Sequence, residues 1–152
     1  MAVHKFALIG FTTALAMASL PASAQEKEPW NDNTSKYKIV SQVIPGLPEF
    51  WPGLGHVYVD PATTPTGPYF AYGHNSKLVS TIYMIPLSDL SSDAKFDSRE
   101  PGETKFNDLA VGTLKVDHVD IYFHSGHAGL TAPHVMIVLW HISAANEGSV
   151  GH

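Results

Sequence analysis

Read for alternation, the chain breaks into short runs of two-residue period separated by turn residues. Nowhere does it hold apolar residues at helical spacing over ten or more positions. His56 to Asp60 (HVYVD) places His56, Tyr58 and Asp60 on one face of a strand and Val57 and Val59 on the other. Tyr69 to Tyr72 (YFAY) and Lys77 to Ile85 (KLVSTIYMI) predict a hairpin across the turn GHNS. Val116 to His124 (VDHVDIYFH) and His134 to Ile142 (HVMIVLWHI) predict the two strongest strands. The latter is apolar on both faces and so belongs inside a sheet. Tyr37 to Ile44 (YKIVSQVI) reads as a first strand because of its β-branched residues. Pro45 to Gly55 carries three prolines and three glycines, which excludes a helix and suits a cover over one end of the fold.

These elements predict an all-β domain, a small antiparallel barrel or sandwich with little helix. Pro86 to Asp108 is turn-rich and charged. It is expected to form one long loop excursion, opened by a short helix around Leu87 to Leu90. Ahead of the domain, the first 24 residues have a basic start (His4, Lys5), an apolar run from Phe6 to Leu20 and the small residues Ala22, Ser23 and Ala24. That is the pattern of a signal peptide cleaved near Ala24, which implies a secreted or periplasmic protein with no membrane attachment afterwards. The apolar run is short for a membrane anchor and is broken by Thr12, Thr13 and Ser19. The expected organisation is 1–24 signal peptide, 25–36 flexible N-terminus, 37–142 single β domain and 143–152 polar, frayed tail.

Charge narrows the partners. The chain carries 9 basic against 14 acidic residues, a net charge of −5, and removal of Lys5 with the leader makes it more acidic. No basic cluster offers itself to phosphate, so nucleic acid and anionic lipid are poor partners. Without cysteine the chain has no disulfide and no thiolate; core packing, a metal or a homo-oligomer must supply stability.

The candidate chemistry lies in DHVDIYFHSGHAGLTAPHVMIVLWH, where five of the chain's nine histidines fall. Strand alternation puts His118, Asp120, Tyr122 and His124 in one row, and the earlier strand offers His56 and Tyr58 likewise. Neutral imidazole and carboxylate suit zinc, copper or iron, and Asp120 can orient an imidazole instead of binding directly. His124 and His127 form an H-x-x-H spacing across a strand end, with Gly126 and Gly129 letting the backbone bend around His127. His134 shares a face with Met136, Val138 and Trp140, whereas His141 falls on the other face, seven residues on. A solvent-facing polar row, and a buried structural imidazole at His134, account for the same residues without a ligand. The sequence holds no GxSxG elbow, phosphate loop or HExxH motif.

GHVYVDP (Gly55 to Pro61), the hairpin GPYFAYGHNSKLVSTIYMI, and DHVDIYF followed by GHAG and APH resemble a family of small exported bacterial β-proteins, the TTHB-like decamer-forming type. The resemblance runs in patches from Gly53 to His141. It implies a small β fold and a homo-oligomer, and carries no reaction with it. Its motifs are a G-x-H-W or G-H-W opening, an acid before Tyr-Met or Pro-Met, and a P-H-x-D-x-H strand. His56 matches the first, Tyr83-Met84 the second with Ile82 in place of the acid, and Pro133-His134 the third. Met136 and Val138 replace the Asp and His of that last strand. If the family pattern holds a metal, His56 and His134 are retained, and Met84 or Met136 would add a thioether suited to copper.

Three readings follow. One is a transition-metal protein, with zinc, copper or iron held by His56, His124, His127 and His134. His118, Asp120, Tyr58, Tyr122, Met84 and Met136 would support them, with scope for metal-assisted chemistry on a small molecule. The second is a metal-free module that binds a small-molecule ligand in an aromatic pocket or assembles into an oligomer. The third is a metal-free enzyme with a histidine and a Tyr or Asp as acid and base. None calls for an organic cofactor.

Overall fold

The computed structural model describes residues 36–90, 109 and 114–150. The expected signal peptide, the segment 25–35 and residues 91–108 of the excursion lie outside the described residues. Six strands pair into one sheet: β1 (Lys38–Ile39), β2 (His56–Val59), β3 (Tyr69–Tyr72), β4 (Leu78–Pro86), β5 (His118–His124) and β6 (His134–Trp140). Their order is β1-β2-β3-β4-β6-β5, and every neighbouring pair is antiparallel. The all-β expectation holds. Among the described residues, helix is confined to α1 (Val40–Val43), α2 (Ala144–Glu147) and two 3-10 turns, Pro61–Thr63 and Leu87–Leu90. No helix among the described residues is long and apolar enough to cross a membrane.

The interior strands are the apolar ones. All nine residues of β4 are buried, and β6 lies between β4 and β5 as its two apolar faces require. Alternation divides the packing between the two sides of the sheet. Val57, Val59, Tyr69, Ile82, Met84 and Val138 build the larger cluster on one side; Ile39, Tyr58, Phe70 and Tyr72 build the smaller one on the other.

Two local readings are corrected. Tyr37 to Ile44 is not a strand throughout, because the chain leaves β1 after Ile39 and turns helical at Val40. Val40, Val43, Ile44 and Leu47 lie at three- and four-residue spacing, and one helical turn brings all four onto the larger cluster. Pro45 ends that turn by holding Ile44 extended, at φ −124 and ψ 101. The described part of the tail, residues 143–150, is not frayed either. Ala144–Glu147 is helical, and the one apolar residue beyond it, Val150, is 8% exposed within the larger cluster. The Val150 carbonyl accepts the Gly53 amide at 2.9 Å, which closes the tail over the 51–55 segment.

β5 departs from the usual half-buried strand. Its polar row is half-buried or, at Tyr122, 45% exposed, while Val119, Ile121 and Phe123 stand 49%, 70% and 67% exposed on the opposite face. The apolar side of this edge strand therefore faces outward.

Burial makes a prediction for these two regions. Val150→Ala is expected to destabilise the protein by about 1–3 kcal/mol, whereas Ile121→Ala on the exposed face should stay within about 0.5 kcal/mol. Urea denaturation of both variants measures the contrast; equal losses would contradict the anchoring role of Val150.

Candidate functional site

The pairing of β5 with β6 sets the geometry. His118 stands opposite Trp140, Asp120 opposite Val138, Tyr122 opposite Met136 and His124 opposite His134. Paired residues share a face, so the β5 row lies on the same side of the sheet as the larger cluster. Its two ends carry different chemistry, six residues and about 20 Å apart along the strand.

At the first end, α2 brings Glu147 up to the sheet. His118 Nε2 meets Glu147 Oε1 at 2.9 Å and its Nδ1 meets Asp117 Oδ1 at 3.0 Å. Asp120 Oδ2 accepts the Tyr122 hydroxyl at 2.7 Å and the Trp140 indole N–H at 3.0 Å. The His118 ring lies over the Trp140 indole, centroids 6.0 Å apart and planes 18° apart. Asp117, then Glu147 and Asp120, raise the His118 pKa above its ordinary 6.5. The Tyr122 and Trp140 hydrogen bonds, with His118 nearby, hold the Asp120 carboxyl below its usual range. In return Asp120 pushes the Tyr122 phenol to about 12. One donor atom each from His118, Asp120 and Glu147 lie within 4.8 Å of one another, a set able to hold a metal ion.

At the second end three imidazoles meet. Ring centroids of His124 and His127 are 4.9 Å apart, of His127 and His134 4.9 Å, and of His124 and His134 5.3 Å. The loop after β5 positions His127. Gly126, at φ +129, has no space for a side chain against the Thr131 carbonyl, and Gly129, at φ +93, packs against Ile44. Hydrogen bonds fix the tautomers of the neutral rings. His127 Nδ1 donates to the Ala128 carbonyl at 2.7 Å and His134 Nδ1 to the Ala132 carbonyl at 2.8 Å, leaving each Nε2 with a lone pair. His124 Nδ1 instead accepts the Gly126 amide at 3.0 Å, which puts its proton on Nε2. His134 is fully buried, and its Nε2 has no partner among the described residues.

His124 and His127 also border a cavity of about 270 Å³ between the sheet, α1 and the 44–54 segment. Met84 and Met136 face it from neighbouring positions on β4 and β6.

The sequence-derived residues thus separate. His124, His127 and His134 come together as rings, but two are stacked within 17° and their nitrogens do not form a converging donor set. His56 does not join them. It lies on β2, with β3 and β4 between it and β6, donates to the Glu49 carbonyl at 3.2 Å and sits 5.0 Å from the Phe50 ring, which also stacks on His74. Tyr58 is buried in the smaller cluster on the far face, against Tyr72, so it supports neither site. His118, Asp120 and Tyr122, expected only to assist, belong to the converging donor set or touch it. Glu147 lies in the segment expected to be a polar, frayed tail; Val150, three residues on, is the apolar signal that this segment docks.

Neither a protein-family model nor a curated protein matches the chain. Among solved structures, it is similar to the hypothetical protein TTHB210 from Thermus thermophilus. The two share 35% identity over 69% of this chain and 93% of that one, with a TM-score of 0.51.

The raised His118 pKa ties the docking of α2 to pH. In the metal-free protein its contribution is complete below the unfolded value of 6.5 and is lost as pH rises through the folded value. Glu147→Gln is expected to lower the His118 pKa and flatten the stability profile across neutral pH. NMR titration of the His118 ring protons, beside thermal melts of both proteins, checks this; an unmoved pKa would show that the pair does not form in solution.

Proposed function

The chain belongs to the family of the hypothetical protein TTHB210, and we propose that it is an exported β-protein that holds a divalent transition-metal ion at His118, Asp120 and Glu147. The convergence of these three donors within 4.8 Å carries the reading. What surrounds them supports it. Asp117 on Nδ1 orients the His118 ring with Nε2 toward Glu147, the carboxylate–imidazole arrangement common behind metal-bound histidine. Tyr122 and Trp140 both hold Asp120 Oδ2, which leaves Oδ1 for an ion. One imidazole and two carboxylates suit zinc, iron or manganese better than copper(I), and Met84 and Met136 face the cavity instead of this set. An ion held by three protein atoms keeps open positions, where it would polarise a bound water or carbonyl. Export rests on the leader pattern of residues 1–24.

A second reading, assembly into a homo-oligomer, draws on the exposed row Val119, Ile121 and Phe123. These residues sit on an edge strand beside the half-buried Val135, Ile137 and Leu139. Such an edge is a ready site for pairing with another chain.

Zinc titration of untagged protein by calorimetry tests the first reading. His118→Ala and Glu147→Gln should each weaken binding by at least about 10–100-fold, while a His124→Ala, His127→Ala double variant retains it. No saturable binding, or binding lost only in the double variant, would remove the assignment. For assembly, analytical ultracentrifugation should give a mass above the monomer that Ile121→Lys reduces; a monomeric wild type would end that reading.

A further inference from the structure

The second end of β5 is a different kind of place from the metal set, and its contents specify an occupant. The cavity beside it measures about 270 Å³. That is space for roughly nine waters at about 30 Å³ each, far more than an ion fills and just below the range of about 300–1,000 Å³ typical of drug-sized ligands. Its walls are apolar: Val57, Ile82, Met84 and Met136 from the sheet, with Ile44 and Leu54 opposite. Among the described residues no lysine, arginine or carboxylate borders it, so a charged ligand would meet no counter-charge there.

Trp51 lines the cavity. Two histidines line this otherwise apolar space, His124 and His127, with ring centroids 4.9 Å apart. The roles open to their Nε2 atoms are fixed. The hydrogen bonds at Nδ1 make His124 Nε2 a donor and His127 Nε2 an acceptor in the neutral rings. A donor and an acceptor on neighbouring rings match a hydroxyl, which gives one hydrogen bond and accepts another. A hydrocarbon would leave both unmet.

We infer that the cavity is a binding site for a small, uncharged, mainly apolar molecule bearing one hydroxyl group, of the size of an alkylphenol. Its hydroxyl meets His124 and His127, and its apolar body lies against Met84 and Met136. Access runs past Ala128, which is exposed at the rim between His127 and Gly129.

The test compares 4-propylphenol with propylbenzene by calorimetry on the full-length protein, with the Trp51 indole N–H followed by NMR. The phenol should bind at least ten-fold more tightly than the hydrocarbon and shift the Trp51 resonance. His127→Leu should reduce that preference to under three-fold. Ala128→Phe, a change at the rim that leaves the core alone, should abolish binding of both compounds with no loss in melting temperature. Failure of both compounds to bind the folded protein overturns the inference, as does equal affinity for the two. Stoichiometric silver-ion uptake that excludes the phenol and is lost in Met84→Leu would instead assign the cavity to a soft cation.

Discussion

The register of β5 against β6 is the constraint on which both sites depend. Seven consecutive pairs, from His118 opposite Trp140 to His124 opposite His134, keep the polar row of β5 on the covered side of the sheet. A slip of one residue would exchange that row for Val119, Ile121 and Phe123. Asp120 would leave the Trp140 indole, His118 would leave Glu147, and His124 would leave the other imidazoles. Burial alone argues for the slipped register, since it would cover three large apolar side chains. What opposes it is a set of directed hydrogen bonds, above all those on Asp120 and His118. Hydrogen bonds to charged groups are shorter and more directional than neutral ones, and several acting together favour this register at an edge strand that water reaches anyway.

That balance explains which parts of the fold are legible in the sequence. Period-two runs with turn residues between them mark β2, β3, β4 and β6 closely, because the buried strands have only one way to sort their side chains. The row of His118, Asp120, Tyr122 and His124 is equally plain. Which way the row faces is not, because alternation assigns residues to faces without saying which face is covered. Here the polar row is half-buried, with Tyr122 45% exposed, and the apolar face is the more exposed of the two. His56 and His134 illustrate a similar limit. Both look like ligands at the start of strands, yet β3 and β4 separate them, and strand order does not follow from any local pattern. Glu147 lies beyond local reading too, because its partner is 29 residues away. Val40, Val43, Ile44 and Leu47 are the opposite case: their helical spacing is present in the sequence but spans too few residues to outvote β-branched composition.

The three-imidazole cluster shows how donor chemistry and donor geometry come apart. Its ring separations of 4.9–5.3 Å bring the histidines into contact. Each Nδ1, however, is already committed to the backbone, twice as donor and once as acceptor. A common ion would require His124 to give up either its bond to the Gly126 amide or its Nε2 proton. At the other end of the strand the surrounding groups hold the donors in the sense an ion needs, with a carboxylate behind the imidazole and two donors on one oxygen of Asp120. Residue type makes the imidazoles the obvious ligands; the direction of their hydrogen bonds sets them apart from the donor group at the other end.

The two ends are also joined through the tail. Glu147 reaches His118 from α2, and three residues later Val150 packs into the main cluster while its carbonyl holds the Gly53 amide. Gly53 lies between Trp51 and Leu54, both on the cavity wall. The segment that completes the donor set therefore also pins the segment that covers the cavity. Trp51 pairs with Gly55 in a closed turn, and the bond from Gly53 to Val150 ties that turn to the tail. Anything that strengthens the hold of His118 on Glu147, a proton or an ion, therefore also steadies the wall against which Trp51 rests. The physical link is covalent from Glu147 to Val150 and hydrogen-bonded from Val150 to Gly53, so release of the tail would loosen both regions.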